Sequence, residues 1–306
     1  MLEIPLRVGY RIEWQDEEKT LLKVSVTTKP DDENFKYDAF SLDAYNDCDR
    51  IYIGAYKGYC TGNKAYSSSG KAVTVSQTID TFRTWCRARG TGYQQRTYGS
   101  VKLMQCLYII SHGTLDSQSA VGRGYVLSSH TAGVATGNTN AYGMDSEIIK
   151  RTNPTYMTDQ NHQVKCLGLE DFWGNYWEFV DGLTSDASRN IMTCDIAANF
   201  VTNGTGYKNN GNGGVTADLG NYMKYPQGGS DAGFTARDVT GSDSTYFCDY
   251  ADLRASCLAI FGGYWNGALS AGAFQLRVTN AFSLSNASVG CRLMYLHKEE
   301  TEEEAA

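Results

Sequence analysis

Helical periodicity stops at Gly113, and that stop limits the fold more than any other feature of the chain. Before it, Thr78 to Arg89 sets Ile79, Phe82, Trp85 and Cys86 on one face, with Asp80 in the first turn and Arg87 and Arg89 in the last. A second helical pattern starts at Ser100 as N-cap and runs through Val101, Leu103, Met104, Leu107, Tyr108 and Ile110 to a Gly113 cap. Beyond Gly113 the chain is rich in Gly, Asn, Ser and Thr, with short apolar islands at 164–167, 176–180, 258–261, 274–279 and 289–295. With a further strand at 51–56, this predicts an α+β fold: two helices packed on small antiparallel sheets, joined by long irregular loops. The stretches 117–143 and 199–241 are too long for ordinary connections and read as functional loops or packed irregular structure.

Composition narrows the function classes. The net charge is −7 with no basic stripe, which argues against a nucleic-acid partner. The N-terminal run MLEIPLRVGYRIEW lacks an apolar core, and nowhere do about eighteen apolar residues run together. The expectation is a chain made in the cytosol without a cleaved signal and without membrane insertion. Residues 1–45 are polar and charge-dense and read as an N-terminal appendage for oligomerisation or attachment, and 298–306 as an acidic disordered tail. Nine cysteines are scattered singly with no C-x-x-C pair, so they read as free, mostly buried thiols rather than as disulfides or a zinc site.

One segment differs chemically from the rest. From Gly262 to Arg292 there is no Lys, Asp, Glu or Met, in a chain that is 20% charged. Small adaptable residues alternate there with Tyr264, Trp265, Leu269, Phe274, Phe282 and Leu284, which is the composition of a recognition surface. In 274–279 the alternation points Phe274, Leu276 and Val278 inward and Gln275, Arg277 and Thr279 to a polar face. Core packing is the competing account for Leu269, Phe282 and Leu284, and a solvated strand position for Arg277. Trp265, Phe274, Val278 and Val289 are assigned to the core, and Arg292 to a structural cation.

Three runs carry a family resemblance. GLEDFWGNYWEFVDGL (168–183) is similar to the G-N-x-W-E-W signature of the formylglycine-generating-enzyme and sulfatase-modifying family, a large variant of the C-type lectin fold. FGGYW (261–265) resembles its R-G-G-S-W strand, and VGCRL (289–293) its closing G-F-R strand. Together they cover 46–297 and imply one C-type lectin-like ligand-binding domain there. Within that superfamily the chain most resembles the variable proteins of diversity-generating retroelements, which include phage tropism determinants. The resemblance implies that adenine-directed rewriting varies selected side chains in 262–293. Such codons do not yield Lys, Glu, Gln, Met or Trp, which assigns Trp265 and Gln275 to the constant frame. The varied, ligand-facing set is then Tyr264, Asn266, Leu269, Arg277, Thr279, Phe282, Leu284, Asn286 and Ser288.

The resemblance also supplies a catalytic alternative. Oxidase members of that family hold copper through two cysteines five residues apart, and the corresponding positions here are Gly267 and Gly272. Related iron-dependent sulfoxide synthases need clustered histidines, whereas His112, His130, His162 and His297 are scattered. No catalytic residue is therefore assigned and no cofactor is required. Calcium is the one candidate ion: the family's metal loop maps Asp171 and Glu178 as side-chain ligands, with the carbonyls of Gly174 and Tyr176. Against it stands a role for Glu178 and Asn175 in satisfying buried backbone groups. The expectation is a non-catalytic binder of a protein or glycan receptor, on a phage tail or a bacterial surface, with homo-oligomerisation through the N-terminal region. A formylglycine-generating-type oxidoreductase and a purely structural virion or surface protein are the alternatives.

Overall fold

Two threonines start the two long helices of the computed structural model, which describes residues 1–299 without the side chains of Ile148, Lys150 and Tyr156. Thr78 accepts from the Thr81 amide at 3.3 Å and opens α1, Ile79–Arg87, which buries Ile79, Phe82 and Cys86. Thr97 accepts from the Ser100 amide at 3.1 Å and opens α2, Tyr98–His112. The second helix thus begins before the expected Ser100, because Thr97 supplies the capping oxygen and the Ser100 hydroxyl bonds the Thr97 carbonyl at 2.7 Å. Gly113 ends it at φ 64°, in the left-handed region that glycine tolerates, and donates to the Ile109 carbonyl at 2.9 Å. Three short helices, Ser117–Ala120, Glu147–Thr152 and Pro154–Thr158, follow where only loop was expected. They are too short to leave a periodic signature.

The fold is mixed α+β, with sheets larger than anticipated. An eight-stranded sheet runs in the order Lys208–Asn209, Ile191–Thr193, Trp177–Ser185, Leu258–Phe261, Leu276–Asn280, Tyr250–Leu253 and Leu219–Tyr222, with Val289–Gly290 branching off Trp177–Ser185. Most pairs are antiparallel, but Leu276–Asn280 lies parallel to Tyr250–Leu253, as does Val289–Gly290 to Trp177–Ser185. A second sheet joins Leu2–Ile4, Arg50–Ile53, Leu293–His297 and Tyr93–Gln95. The main apolar core fills the space between α2 and the strands, and a smaller one, including Phe82, Trp177, Phe179, Ile260 and Val289, lies under α1.

Residues 1–45 are not an appendage. Leu2–Ile4 extends the second sheet beside Arg50–Ile53, and the hairpin Gly9–Trp14/Leu22–Thr27 buries Tyr10 and Ile12 in the main core. Several of the charges that make this region look solvated are paired. The Tyr10 hydroxyl donates to Asp38 at 2.6 Å, the Lys102 ammonium contacts Asp38 at 2.8 Å, and Lys36 bonds Asp195 at 2.8 Å and also Asp231. Of the tail read at 298–306, residues 300–306 lie outside the described residues. Among the described residues no helix is long and apolar enough to cross a membrane, and all nine cysteines are free.

Candidate ligand-binding face

Two glycines let the chain leave the strand Leu258–Phe261 and turn across its end. Gly262 (φ 91°) and Gly263 (φ 82°) both lie in the left-handed region. A Cβ on Gly263 would fall 2.2 Å from the Gln275 side-chain oxygen. The turn is pinned from both sides: the Gly262 amide donates to the Gln275 carbonyl at 2.9 Å, and its carbonyl accepts from Gly174 at 2.8 Å. Next along the chain, the Trp265 amide donates to Asn175 at 2.9 Å. Asn175 is itself buried and tied to both backbone groups of Val134, at 2.8 and 3.1 Å. The run 168–183 therefore serves as the abutment on which the segment 262–293 rests.

Against this abutment the aromatic side chains stack. Tyr264 lies over Trp177 with centroids 6.0 Å apart and planes 21° off parallel, and Trp265 meets Tyr264 and Tyr176 edge-on. Arg277 also extends over Trp177, its guanidinium 5.7 Å from the ring, and bonds Asp252. Burial pushes the Asp252 carboxyl above its ordinary range, and the cation beside it counters that shift. The result is a cavity of about 350 Å³, open to solvent, in which Tyr264, Arg277, Leu284, Asn286 and Ser288 stand around a floor of Trp177, Ile260 and Val289.

None of the nine candidate positions is buried. Asn266 and Asn286 are exposed, while Tyr264, Leu269, Arg277, Thr279, Phe282, Leu284 and Ser288 are partly so. Phe282 and Leu284 are poised between the two accounts offered for them: each packs one side on the smaller core and turns the other to solvent. Thr279 follows Arg277 on the same face of its strand. Leu269 is not brought to the cavity; it lines a separate depression with Gln118, Arg123 and Cys248. Phe274, Val278 and Val289 are buried as expected, and so is Gln275, whose side chain donates to the Ser270 hydroxyl at 3.3 Å. Trp265 departs from its assignment. It is half-buried on the rim, because its neighbours Tyr176 and Tyr264 are themselves at the surface.

Sequence reading missed the contribution of the 117–143 loop. His130 stacks on Tyr125 at 3.9 Å and places Nδ1 3.1 Å from the Trp265 carbonyl, so that nitrogen carries the proton. The Asn266 amide reaches the His130 carbonyl at 3.4 Å. Tyr125, His130 and Tyr176 thus extend the aromatic rim from outside the segment. The Gly-rich 117–143 loop gave no periodic signal that could have found Tyr125 and His130, whereas Tyr176 lies in the 168–183 run.

Below the face lies a charged knot. Glu178 is fully buried and accepts from Lys57 at 2.9 Å, from Arg96 at 2.7 Å, and from Arg292 at 2.8 Å. Arg292 also donates to the carbonyls of Gly54 and Glu170, both at 2.7 Å, which makes it the structural cation expected. Burial disfavours the Glu178 charge, but Arg292, Lys57 and Arg96 overcome it and hold the carboxyl well below its ordinary range. Asp171 has the opposite fate: burial and the nearby Glu170 push it up to about 7, although Gln163 and Asn175 donate to it. This arrangement speaks against the calcium reading of Asp171 and Glu178. Both Glu178 oxygens are taken by cations, and an added Ca²⁺ would enter against three positive charges.

The two positions that the resemblance matches to oxidase cysteines differ in the room they leave, Gly272 being closed and Gly267 only tight. A Cβ on Gly272 would lie 1.9 Å from the Asp249 carboxylate, which is buried and accepts from the Phe274 amide at 2.8 Å. At Gly267 a Cβ would meet the Tyr264 carbonyl at 3.2 Å. No known family model matches the chain, and comparison with curated proteins finds no match.

Proposed function

We propose that this protein is a non-catalytic ligand-binding protein of C-type lectin type, in which 262–293 forms a diversified receptor-binding face. One observation carries the reading. The nine positions that adenine-directed rewriting would reach all keep solvent exposure, while Phe274, Gln275, Leu276, Val278, Val289 and Cys291, interleaved with them, are buried. A face built that way can exchange its side chains while the packing beneath stays constant. Tyr264, Phe282 and Arg277 are the anchors, since aromatic and Arg side chains over a partly desolvated hollow dominate interface energetics. Trp265, Tyr176 and His130 supply a constant rim. The partner is a protein or glycan receptor on a target cell surface, met from a virion tail or a bacterial surface, and several copies on an oligomer would raise avidity.

The discriminating observation lies in the neighbouring DNA. A near-copy of the codons for 262–293 that differs only at adenines, beside a reverse-transcriptase gene, is the expected result. A copy differing at other bases, or none at all, would remove the reading's main support.

A further inference from the structure

Far from that face along the chain, the fold gathers three side chains that sequence spacing keeps apart. His112 ends α2, Asp145 precedes the helix Glu147–Thr152, and Cys166 sits on the two-residue strand Lys165–Cys166. Their candidate ligand atoms all lie within 4.8 Å of one another, with His112 Nε2 and Asp145 Oδ2 at 3.1 Å. Among the described residues no other group of three or more His, Cys, Asp and Glu side chains meets that geometry.

Each donor is fixed by something other than its partners. The Ser146 amide donates to the Lys165 carbonyl at 2.8 Å and the Lys165 amide to the Ser146 hydroxyl at 2.6 Å, which clamps Asp145 beside Cys166. The Gly168 amide extends the clamp to the Met144 carbonyl at 2.7 Å. The His112 ring stacks on Tyr108, centroids 4.6 Å apart and 18° off parallel, and its Nδ1 stands 3.2 Å from the Tyr108 carbonyl. A carbonyl only accepts, so Nδ1 carries the proton and Nε2 is the nitrogen directed at Asp145. A backbone carbonyl on the far nitrogen is the support that metal-bound histidines ordinarily have.

We propose that His112 Nε2, Asp145 Oδ2 and Cys166 Sγ bind one divalent transition-metal ion of the zinc class. Imidazole, carboxylate and thiolate together select such an ion over calcium or magnesium, which take oxygen alone. Tetrahedral zinc at ordinary bond lengths separates its ligands by roughly 3.3–3.7 Å, so the observed spacing needs only a small contraction around the ion. On binding, Cys166 releases its thiol proton and Nε2 any proton it holds, while Asp145 enters as the carboxylate. Three protein ligands leave a fourth position for water. Cys166 is buried and the Asp145 side chain is 19% exposed, so the ion bridges interior and solvent. It would tie the end of α2 to the 145–166 region, which consists of two short helices and the two-residue strand Lys165–Cys166. The site is independent of the receptor-binding reading. It also departs from the expectation that no cysteine here serves a metal: one thiol is recruited by a histidine and an aspartate distant in sequence.

Titration of chelator-treated full-length protein with Co²⁺ tests it. One equivalent should produce a thiolate-to-cobalt charge-transfer band in the near ultraviolet, and Zn²⁺ should displace it. Cys166→Ser should abolish the band, while Cys106→Ser, at a buried thiol elsewhere in α2, should retain it. Asp145→Asn, at a partly exposed side chain, keeps the thiolate and so should keep the band but weaken binding at least about tenfold. Circular dichroism establishes that each variant is folded. No band in the parent protein, or a band that survives Cys166→Ser, would overturn the site.

Discussion

The strand Trp177–Ser185 and the loop 281–288 are similar in length and opposite in character. Every residue of the strand is buried, and none of the loop is. Glu178 and Asp181 in the strand are held by the guanidinium groups of Arg96, Arg292 and Arg83, whereas the loop's side chains bond locally, as where Asn286 accepts from the Ser288 amide and hydroxyl at 2.8 Å, and only its backbone reaches outward, to the amides of Ser76 and Trp177. The contrast shows where sequence is constrained. In the strand a change leaves a buried partner unsatisfied; in the loop it alters only what the surface presents.

Breaking the strand's charge knot should have the largest effect. Arg292→Met leaves Glu178 with fewer cations and takes the guanidinium donors from three carbonyls, so a loss of about 3–5 kcal/mol is expected in urea unfolding, if the variant folds at all. A loss below about 1 kcal/mol would mean the knot is not what holds the abutment. Next, Gly272→Cys introduces the residue that an oxidase would carry. Its Cβ would collide with the Asp249 carboxylate, and a cost of about 1–3 kcal/mol follows, with more if Asp249 is forced from the Phe274 amide. An undestabilised variant would show that the position can accept a thiol after all.

The pH profile sharpens the same contrast. Asp171 is raised in the folded state to about 7, so its contribution is fully present below the unfolded carboxyl range near pH 4 and is lost as pH rises through about 7. Stability should therefore decline across that window, and Asp171→Asn should flatten the decline. A slope unchanged in the variant would contradict the assignment. Glu178, held low by its cations, acts oppositely and costs stability only as acid drives pH below the unfolded Glu range. At the surface the effects shrink: Phe282→Ala should cost about 1 kcal/mol or less by thermal unfolding. The smallest effect is none. Millimolar Ca²⁺ should not raise Tm above a Mg²⁺ control, because Glu178 has no oxygen to offer it.

Where one apolar stripe or one alternating strand decided the matter, the sequence was readable. α1 and the strand Leu258–Phe261 fall where their patterns place them, and Phe274, Leu276 and Val278 face inward. Where burial depends on a distant partner it was not. Lys36 and Asp38 look like solvent-facing charges until Asp195, Asp231 and Lys102 are seen against them, and this is why residues 1–45 read as an appendage. Glu178 looks like a metal ligand until three cations are found around it. On the face itself, composition set the segment apart, and the codon rule implied by the resemblance assigned Gln275 to the frame, where it is buried. The part of the rim supplied by Tyr125 and His130 depends on how 117–143 folds back, and local sequence does not encode that return.

The central claim is that the nine surface positions can be rewritten without loss of fold, and a paired library tests it most directly. One library would vary Tyr264, Asn266, Leu269, Arg277, Thr279, Phe282, Leu284, Asn286 and Ser288 over the adenine-reachable residues. The other would vary Trp177, Phe179, Ile260, Phe274, Gln275, Leu276, Val278, Val289 and Cys291 over the same set, both on the full chain, with protease resistance read by deep sequencing. The account predicts that most members of the first library stay resistant and few of the second do. Equal losses in the two would contradict it.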